Sequence, residues 1–158
     1  MGFKASRLRS GEWIVAISAV VLLVLLFAPA WYDSRVAGLA SLNGFHSVTG
    51  LRWLVLVTVA VSFALVFLQG TRKAPALPAS FSVFVWVLAG VTSLWMIYRI
   101  LISPPVSGTV YNQTAASYVA LASGLLLTYG GYRSLREEDK PDPVRNAAIE
   151  TVSLDQLG

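Results

Sequence analysis

The chain has 158 residues, of which 56% are hydrophobic and only 13% charged, with a formal net charge of +4. Soluble domains carry about 25% charged residues, so this composition predicts a membrane protein. The absence of cysteine excludes disulfides and thiolate chemistry, and a single histidine argues against a zinc or haem site held by the protein alone. We therefore expect no metal and no cofactor.

The chain begins with a basic leader, residues 1–12, followed by a long apolar run. The run from Trp13 to Tyr32 is long enough to cross a bilayer. Its end, Ala28-Pro-Ala30, is similar to a signal-peptidase site, but the run is longer than the apolar part of a usual signal peptide. We interpret residues 13–32 as a first transmembrane helix that is retained.

Residues 33–50 form the larger of two outer connections. Ser34 is suited to cap a short helix that reaches Leu42, and Asn43-Gly44 would end that helix. Apolar residues recur at every third position of this stretch, which predicts a helix lying along the membrane interface or over the bundle.

Three more spans are predicted at residues 51–69, 80–102 and 115–133. A proline-containing basic turn separates the second span from the third, and residues 106–114 make a short polar loop. The tail, residues 134–158, carries six acids against three bases. The sequence predicts an all-α membrane protein: a bundle of four transmembrane helices with a short outer helix or loop between the first two.

The distribution of basic residues gives the orientation. Nine of the twelve lysines and arginines fall in the leader, the middle turn and the tail, and only Arg35, Arg52 and Arg99 lie on the opposite side. Since basic residues are enriched on the cytoplasmic side, both termini are predicted to be cytoplasmic. Topology thus explains the basic residues, so we expect no nucleic-acid partner.

Three short motifs resemble those of small four-helix membrane proteins common in actinobacteria. They are Ala28-Pro-Ala-Trp-Tyr32, Tyr98-Arg-Ile-Leu-Ile-Ser-Pro-Pro105 and Gly130-Gly-Tyr-Arg-Ser-Leu-Arg-Glu-Glu138. This chain departs from the pattern where Ala30 separates the proline from Trp31. The resemblance implies a multi-pass protein of a bacterial plasma membrane, and it implies no activity.

Arg99 is the one charge inside an apolar segment, close to the outer end of the third span. Near the interface an arginine can extend its charged group toward the headgroups, so it is predicted to be an outer anchor. It can also pair with Asp33, the only acid on the outer side, and lie over Trp95 one turn back. If Asp33 pairs with Arg35 instead, Arg99 is left without a counter-charge.

In that second case the outer side carries a basic rim that is suited to a lipid phosphate or a carboxylate. The candidate lipid- or anion-binding residues are Arg35, His46, Arg52 and Arg99. No catalytic residue is assigned, because His46 has neither a second histidine nor an acid other than Asp33 to orient it.

Small residues recur along the fourth span and are candidates for close helix packing. They are Ala116, Ala120, Gly124 and Thr128, with Gly90 in the third span. They predict packing within the chain, or else self-association or docking to another subunit.

The leading hypothesis is a non-enzymatic integral membrane protein, a structural or accessory subunit whose partners are the bilayer and other membrane components. The alternative is a protein that binds, or binds and transports, a lipid or anion through the outer arginines.

Overall fold

Four long helices make up most of the chain. The computed structural model of the protein describes residues 8–71, 80–106, 108 and 110–138. The long helices are α1 (Ser10–Phe27), α3 (Leu51–Thr71), α4 (Ser80–Ile97) and α5 (Ala115–Glu138), and α2 is a single turn, Gly44–Ser47. Helices α1 and α4 each pack against both α3 and α5, so the four form a closed ring.

Three of these helices are long and apolar enough to cross a membrane, namely α1, α3, and α4 with the turn that extends it to Ile102. They indicate a membrane-embedded protein. Helix α5 is the longest, with 24 residues, but it is less apolar. The predicted middle turn, most of the leader and most of the acidic tail lie outside the described residues.

Prolines explain where two of the helices end. Helix α1 ends at Phe27, before Pro29, whereas the predicted span continued to Tyr32. Helix α4 continues as a π-helical turn, Tyr98–Ile102, in which the Ser103 N–H donates to the Tyr98 carbonyl at 2.8 Å. The two prolines that follow Ser103 prevent any further helix. Together α4 and the π turn cover residues 80–102, the range of the predicted third span.

The connections at one end of the bundle form a small antiparallel sheet that the sequence did not predict. Strand β1 (Ala30–Ser34) lies between β2 (Leu42–Asn43) and β3 (Tyr111–Gln113). The chain is mostly helical, as predicted, but it is not entirely α-helical. We call this the sheet end of the bundle, and the opposite end, where α1 begins and α5 ends, the terminal end.

The helix predicted from Ser34 to Leu42 is absent, and that prediction is wrong. The backbone of β1 pairs with β3, a strand about 80 residues later, and this long-range pairing overrides the local capping signal of Ser34. Gly38 turns the chain back with a φ of 90°, a conformation that favours glycine. Asn43 begins α2 rather than ending a helix, because its Oδ1 accepts the His46 N–H at 3.0 Å.

Trp31 fastens the sheet to the bundle. Its side chain is fully buried, and its Nε1–H donates to the Leu25 carbonyl at 2.7 Å, which satisfies a carbonyl in the last turn of α1. A side chain at Gly44 would place a Cβ 2.5 Å from the Trp31 ring, so α2 can pack on the indole only through a glycine. The contacts of Trp31 with Leu25 and Gly44 thus hold the sheet end against the bundle.

Hydroxyl groups, rather than charges, connect the helices inside the ring. Thr58 of α3 and Thr92 of α4 share a hydrogen bond of 2.7 Å, and Ser93 and Thr128 join α4 to α5 at 3.0 Å. Each of the three threonine hydroxyls also lies within hydrogen-bond distance of the carbonyl four residues earlier in its own helix, and of Thr58 and Thr92 one donates to the other while the second donates to its carbonyl. Polar groups that are satisfied in this way can be buried in an apolar bundle at little cost.

Candidate functional site at the sheet end

The structure separates the four predicted basic residues into three different surroundings. Arg35 belongs to the sheet: its N–H donates to the Val110 carbonyl at 2.8 Å, and its Nε donates to Asn112 Oδ1 at 2.7 Å. A second guanidinium nitrogen contacts the same oxygen. Arg35 therefore fastens β1 to β3, and its charge is not directed at a shared basic site.

Asp33 forms no ion pair with Arg35 or Arg99, and the predicted Asp33–Arg99 pair is absent from the structure. Its Oδ1 accepts the Ser41 hydroxyl at 2.5 Å instead. The alternation of side chains along a strand explains this result. Tyr32 is buried against the bundle, so its neighbour Asp33 is directed to the exposed face of the sheet.

Arg52 and His46 both contact the Phe45 ring. The Arg52 guanidinium carbon is 4.9 Å from the centre of the Phe45 ring and 5.5 Å from that of Trp53, which are cation–π distances. The Nε of Arg52 is buried and has no hydrogen-bond partner. Arg52 is thus held by aromatic faces, at the first turn of α3.

The single imidazole is bonded to an amide. Nδ1 of His46 lies 2.8 Å from Asn43 Oδ1, and because that oxygen can only accept, Nδ1 carries the proton. The Asn43 side-chain amide donates to the Phe27 carbonyl at 3.0 Å, which fixes its orientation. His46 is therefore positioned by Asn43. The hydroxyl of Ser41, which lines the same surface depression as His46, donates to Asp33.

Arg99 lines an open cleft of about 330 Å³ between the first turn of α3 and the end of α4. The cleft is lined by Gly50, Leu51, Trp95, Tyr98 and Arg99. The guanidinium does not lie over Trp95, contrary to the prediction, although both side chains line the same cleft. Arg99 lies in the π-helical turn that continues α4.

Tyr32 interacts electrostatically with Arg99. Burial raises the pKa of the Tyr32 hydroxyl, and the positive charge of Arg99 opposes that rise. The side chain is only 2% exposed, and its hydroxyl has no hydrogen-bond partner. A buried hydroxyl without a partner is costly in a lipid-facing bundle and therefore requires an explanation.

The small residues of α5 are used inside the bundle. A Cβ at Gly124 would lie 3.2 Å from Ser93 Oγ and 3.4 Å from Met96 Sδ, while Thr128 bonds to Ser93. Ala120 is fully buried, and Ala116 packs against the same core. Gly90 has more room, because its nearest neighbour across the interface, a Thr128 methyl, is 3.8 Å away.

Sequence reasoning missed a second polar cluster, at the terminal end. Glu137 of α5 accepts hydrogen bonds from the Gly11 N–H at 3.1 Å, from the Ser10 hydroxyl and from Arg133 Nε at 3.0 Å. Arg9 donates to the Glu137 carbonyl. In the sequence, this cluster was indicated only by the opposite charges of the basic leader and of the acidic residues that follow the last span.

No protein-family model, curated protein or solved structure matches the chain. Within the described residues, no group of three or more histidine, aspartate and glutamate side chains could hold a metal ion. The site must therefore be interpreted from its own geometry.

Proposed function

We propose that this chain is a non-enzymatic integral membrane protein with four transmembrane helices and a structural or accessory role. Both termini would be cytoplasmic, which places the sheet end outside. The nine-to-three distribution of basic residues supports this orientation. The three motifs that resemble actinobacterial four-helix proteins support a bacterial plasma membrane as its location.

The exposed face of α5 supports its assignment as a fourth transmembrane span. Its exposed large side chains between residues 118 and 132 are apolar or aromatic, namely Tyr118, Val119, Leu125, Leu126, Tyr129 and Tyr132. The polar and small residues that lower its hydropathy, such as Ser117, Ser123 and Gly124, are buried against neighbouring helices. At 1.5 Å per residue its 24 residues extend for about 36 Å, enough to cross a bilayer.

The interior of the bundle supports a structural rather than a catalytic role. Helices α3, α4 and α5 are joined there by paired threonine and serine hydroxyls. Transporters and pumps usually carry ionisable groups near mid-depth, and here the charged side chains of the described residues lie at the two ends of the bundle. At the sheet end, the imidazole that could serve as a base is bonded to Asn43.

An accessory role requires that one lipid-facing surface also contacts another protein. All four long helices expose large apolar side chains, for example Val24 in α1, Phe67 in α3, Val87 in α4 and Leu126 in α5. We propose to place a photo-crosslinking amino acid at each of these four positions and to irradiate native membranes. One discrete protein adduct, at one or two neighbouring positions, is expected. Lipid adducts alone at all four positions would contradict an accessory role.

The four-span topology has a separate test, because the chain contains no cysteine. Single cysteines at Ser41, in the sheet end, and at Arg136, at the end of α5, can be labelled in intact cells with a membrane-impermeant maleimide. Labelling at Ser41 and protection at Arg136 are expected. Labelling at both positions would show that α5 does not return the chain to the cytoplasm.

A further inference from the structure

Arg99 is unlike the other two arginines of the sheet end. Arg35 donates to Asn112, and Arg52 lies over two aromatic rings. Within the described residues, Arg99 has neither a carboxylate within ion-pair distance nor such a ring contact. Its side chain is half-buried and lines the cleft. A charge that is partly removed from water without a counter-charge favours the binding of an anion.

The other wall of the cleft also favours an anion. Helix α3 begins here at Leu51, and the first N–H groups of a helix, together with its dipole, attract negative charge. The preceding residue, Gly50, has no side chain to cap those groups, and a Cβ built there meets nothing within 4 Å. One of them, the Arg52 N–H, donates to the Val48 carbonyl at 3.0 Å. The lining residues include no acid, so a guanidinium and the start of a helix line the same space.

The buried Tyr32 hydroxyl also interacts electrostatically with Arg99 and has no hydrogen-bond partner in the structure. Tyr32 does not line the cleft, so the ligand is assigned to Arg99 and the residues that do.

The surroundings of the cleft favour an anion that carries apolar chains. Trp95 and Tyr98 line it and are about half exposed, and Val91 and Leu94, which precede them on α4 toward the middle of the bundle, are 47% and 68% exposed. Tryptophan and tyrosine are typical of the headgroup level of a membrane, with apolar side chains below them. We propose that the cleft binds the phosphate of an anionic phospholipid. Arg99 donates hydrogen bonds to two phosphate oxygens, and the first turn of α3 completes the site.

The proposal is tested by native mass spectrometry of the full chain extracted with an equimolar mixture of phosphatidylglycerol and phosphatidylcholine. The wild-type protein should retain one phosphatidylglycerol preferentially, and Arg99→Gln should reduce its retention about tenfold or more. Arg52→Gln is the matched control and should retain the lipid, because Arg52 lies on aromatic rings outside the cleft. Equal loss in both variants would overturn the assignment to Arg99.

A second pair of variants leaves Arg99 in place. Since the space at Gly50 is open, Gly50→Glu and Gly50→Gln should both fold, and only the carboxylate can pair with Arg99. Gly50→Glu should lose phosphatidylglycerol and Gly50→Gln should keep most of it. Retention of the lipid by Gly50→Glu and Arg99→Gln alike would overturn the proposal.

Inorganic phosphate distinguishes the two sources of the anion. If the site takes a lipid, 10 mM phosphate should leave phosphatidylglycerol bound, because the acyl chains add apolar contacts that the free ion lacks. Complete displacement by phosphate, or equal retention of phosphatidylcholine, would show that the cleft is not a site for an anionic lipid.

Discussion

The two ends of the bundle treat charge in opposite ways. At the terminal end, Glu137 is surrounded by donors from Ser10, Gly11 and Arg133, so that one carboxylate joins α1 to α5. At the sheet end, the three arginines have no carboxylate partner within the described residues, and the only acid, Asp33, bonds to a serine.

The difference follows from how each end is held together. The sheet end is fastened by backbone pairing between β1 and β3, by the buried Trp31 indole and by the Arg35–Asn112 hydrogen bonds, and it uses no ion pair between residues that the structure describes. The terminal end has no sheet among the described residues, so helix contacts and the Glu137 hydrogen bonds hold α1 and α5 together. At the sheet end Arg99 is consequently left without a structural partner in the described part of the chain, whereas at the terminal end Arg9 and Arg133 are bonded to Glu137.

The largest effect is expected from Gly11→Ala at the terminal end. A Cβ at Gly11 would lie 2.5 Å from the Ser134 backbone nitrogen, and backbone atoms cannot move aside as a flexible side chain can. We expect a loss of about 3 kcal/mol in the free energy of unfolding, measured by denaturant titration in detergent micelles. The matched control is Gly90→Ala, where the nearest atom across the interface is 3.8 Å away, and it should be neutral or slightly stabilising.

Gly44→Ala at the sheet end is the matched comparison for Gly11→Ala, since a Cβ at Gly44 would also lie 2.5 Å from a neighbour, the Trp31 ring. That neighbour is a side chain, so we expect the cost at Gly44 to be smaller than at Gly11. Tolerance of Gly11→Ala together with a large loss of stability in Gly44→Ala would contradict the expected difference between the two ends.

A smaller effect is expected from Glu137→Gln. The substitution keeps the shape of the side chain but removes the charge that Ser10, Gly11 and Arg133 contact. Hydrogen bonds to a charged group contribute about 1.5–3 kcal/mol, and the exposure of Arg133 places the expected cost near the lower value. The same unfolding titration at pH 7 measures it, and Asp33→Asn, which keeps an acceptor for Ser41, should cost less.

The pH dependence identifies the group responsible. Burial raises the pKa of Glu137, but the hydrogen bonds from Ser10, Gly11 and Arg133 outweigh it, so that the pKa lies below its ordinary value of 4.5. A carboxylate whose pKa is lowered by folding stabilises the protein fully above its unfolded pKa, and the stabilisation is lost as pH falls through the folded pKa. The difference between wild type and Glu137→Gln should therefore shrink below about pH 4. A difference that is constant from pH 7 to pH 3 would show that Glu137 acts through shape alone.

Sequence reasoning found the helices and missed the sheet for one physical reason. Transmembrane spans appear as continuous apolar runs, and prolines mark their ends. The local pattern alone therefore predicts that α3 begins at residue 51 and α4 at residue 80. The pairing of Asp33 with Asn112 depends on two segments that meet only when the bundle is formed. Local signals at Ser34 and Asn43 therefore predicted a helix where tertiary contacts impose a strand.

The candidate site was likewise predictable from the sequence only in part. Arg99 was identifiable as the one charge inside an apolar run, and its position near the end of that run indicated an interface. Its separation from Asp33 was not predictable, because it depends on which face of β1 the Asp33 side chain occupies. The role of Gly50 was also hidden, since a glycine before a helix gives no signal until the cleft beside it is known.

The smallest effect is expected from Arg52→Gln at the sheet end. The substitution removes the cation–π contacts with Phe45 and Trp53, which contribute about 0.5–1 kcal/mol at an exposed site. It also removes the buried Nε that has no partner, which offsets part of that loss. The free energy of unfolding should therefore fall by less than with Glu137→Gln, and by less again with Arg52→Lys, which keeps a cation near the rings. A cost at Arg52 that exceeds the cost at Glu137 would mean that the sheet end, too, depends on its charges for stability.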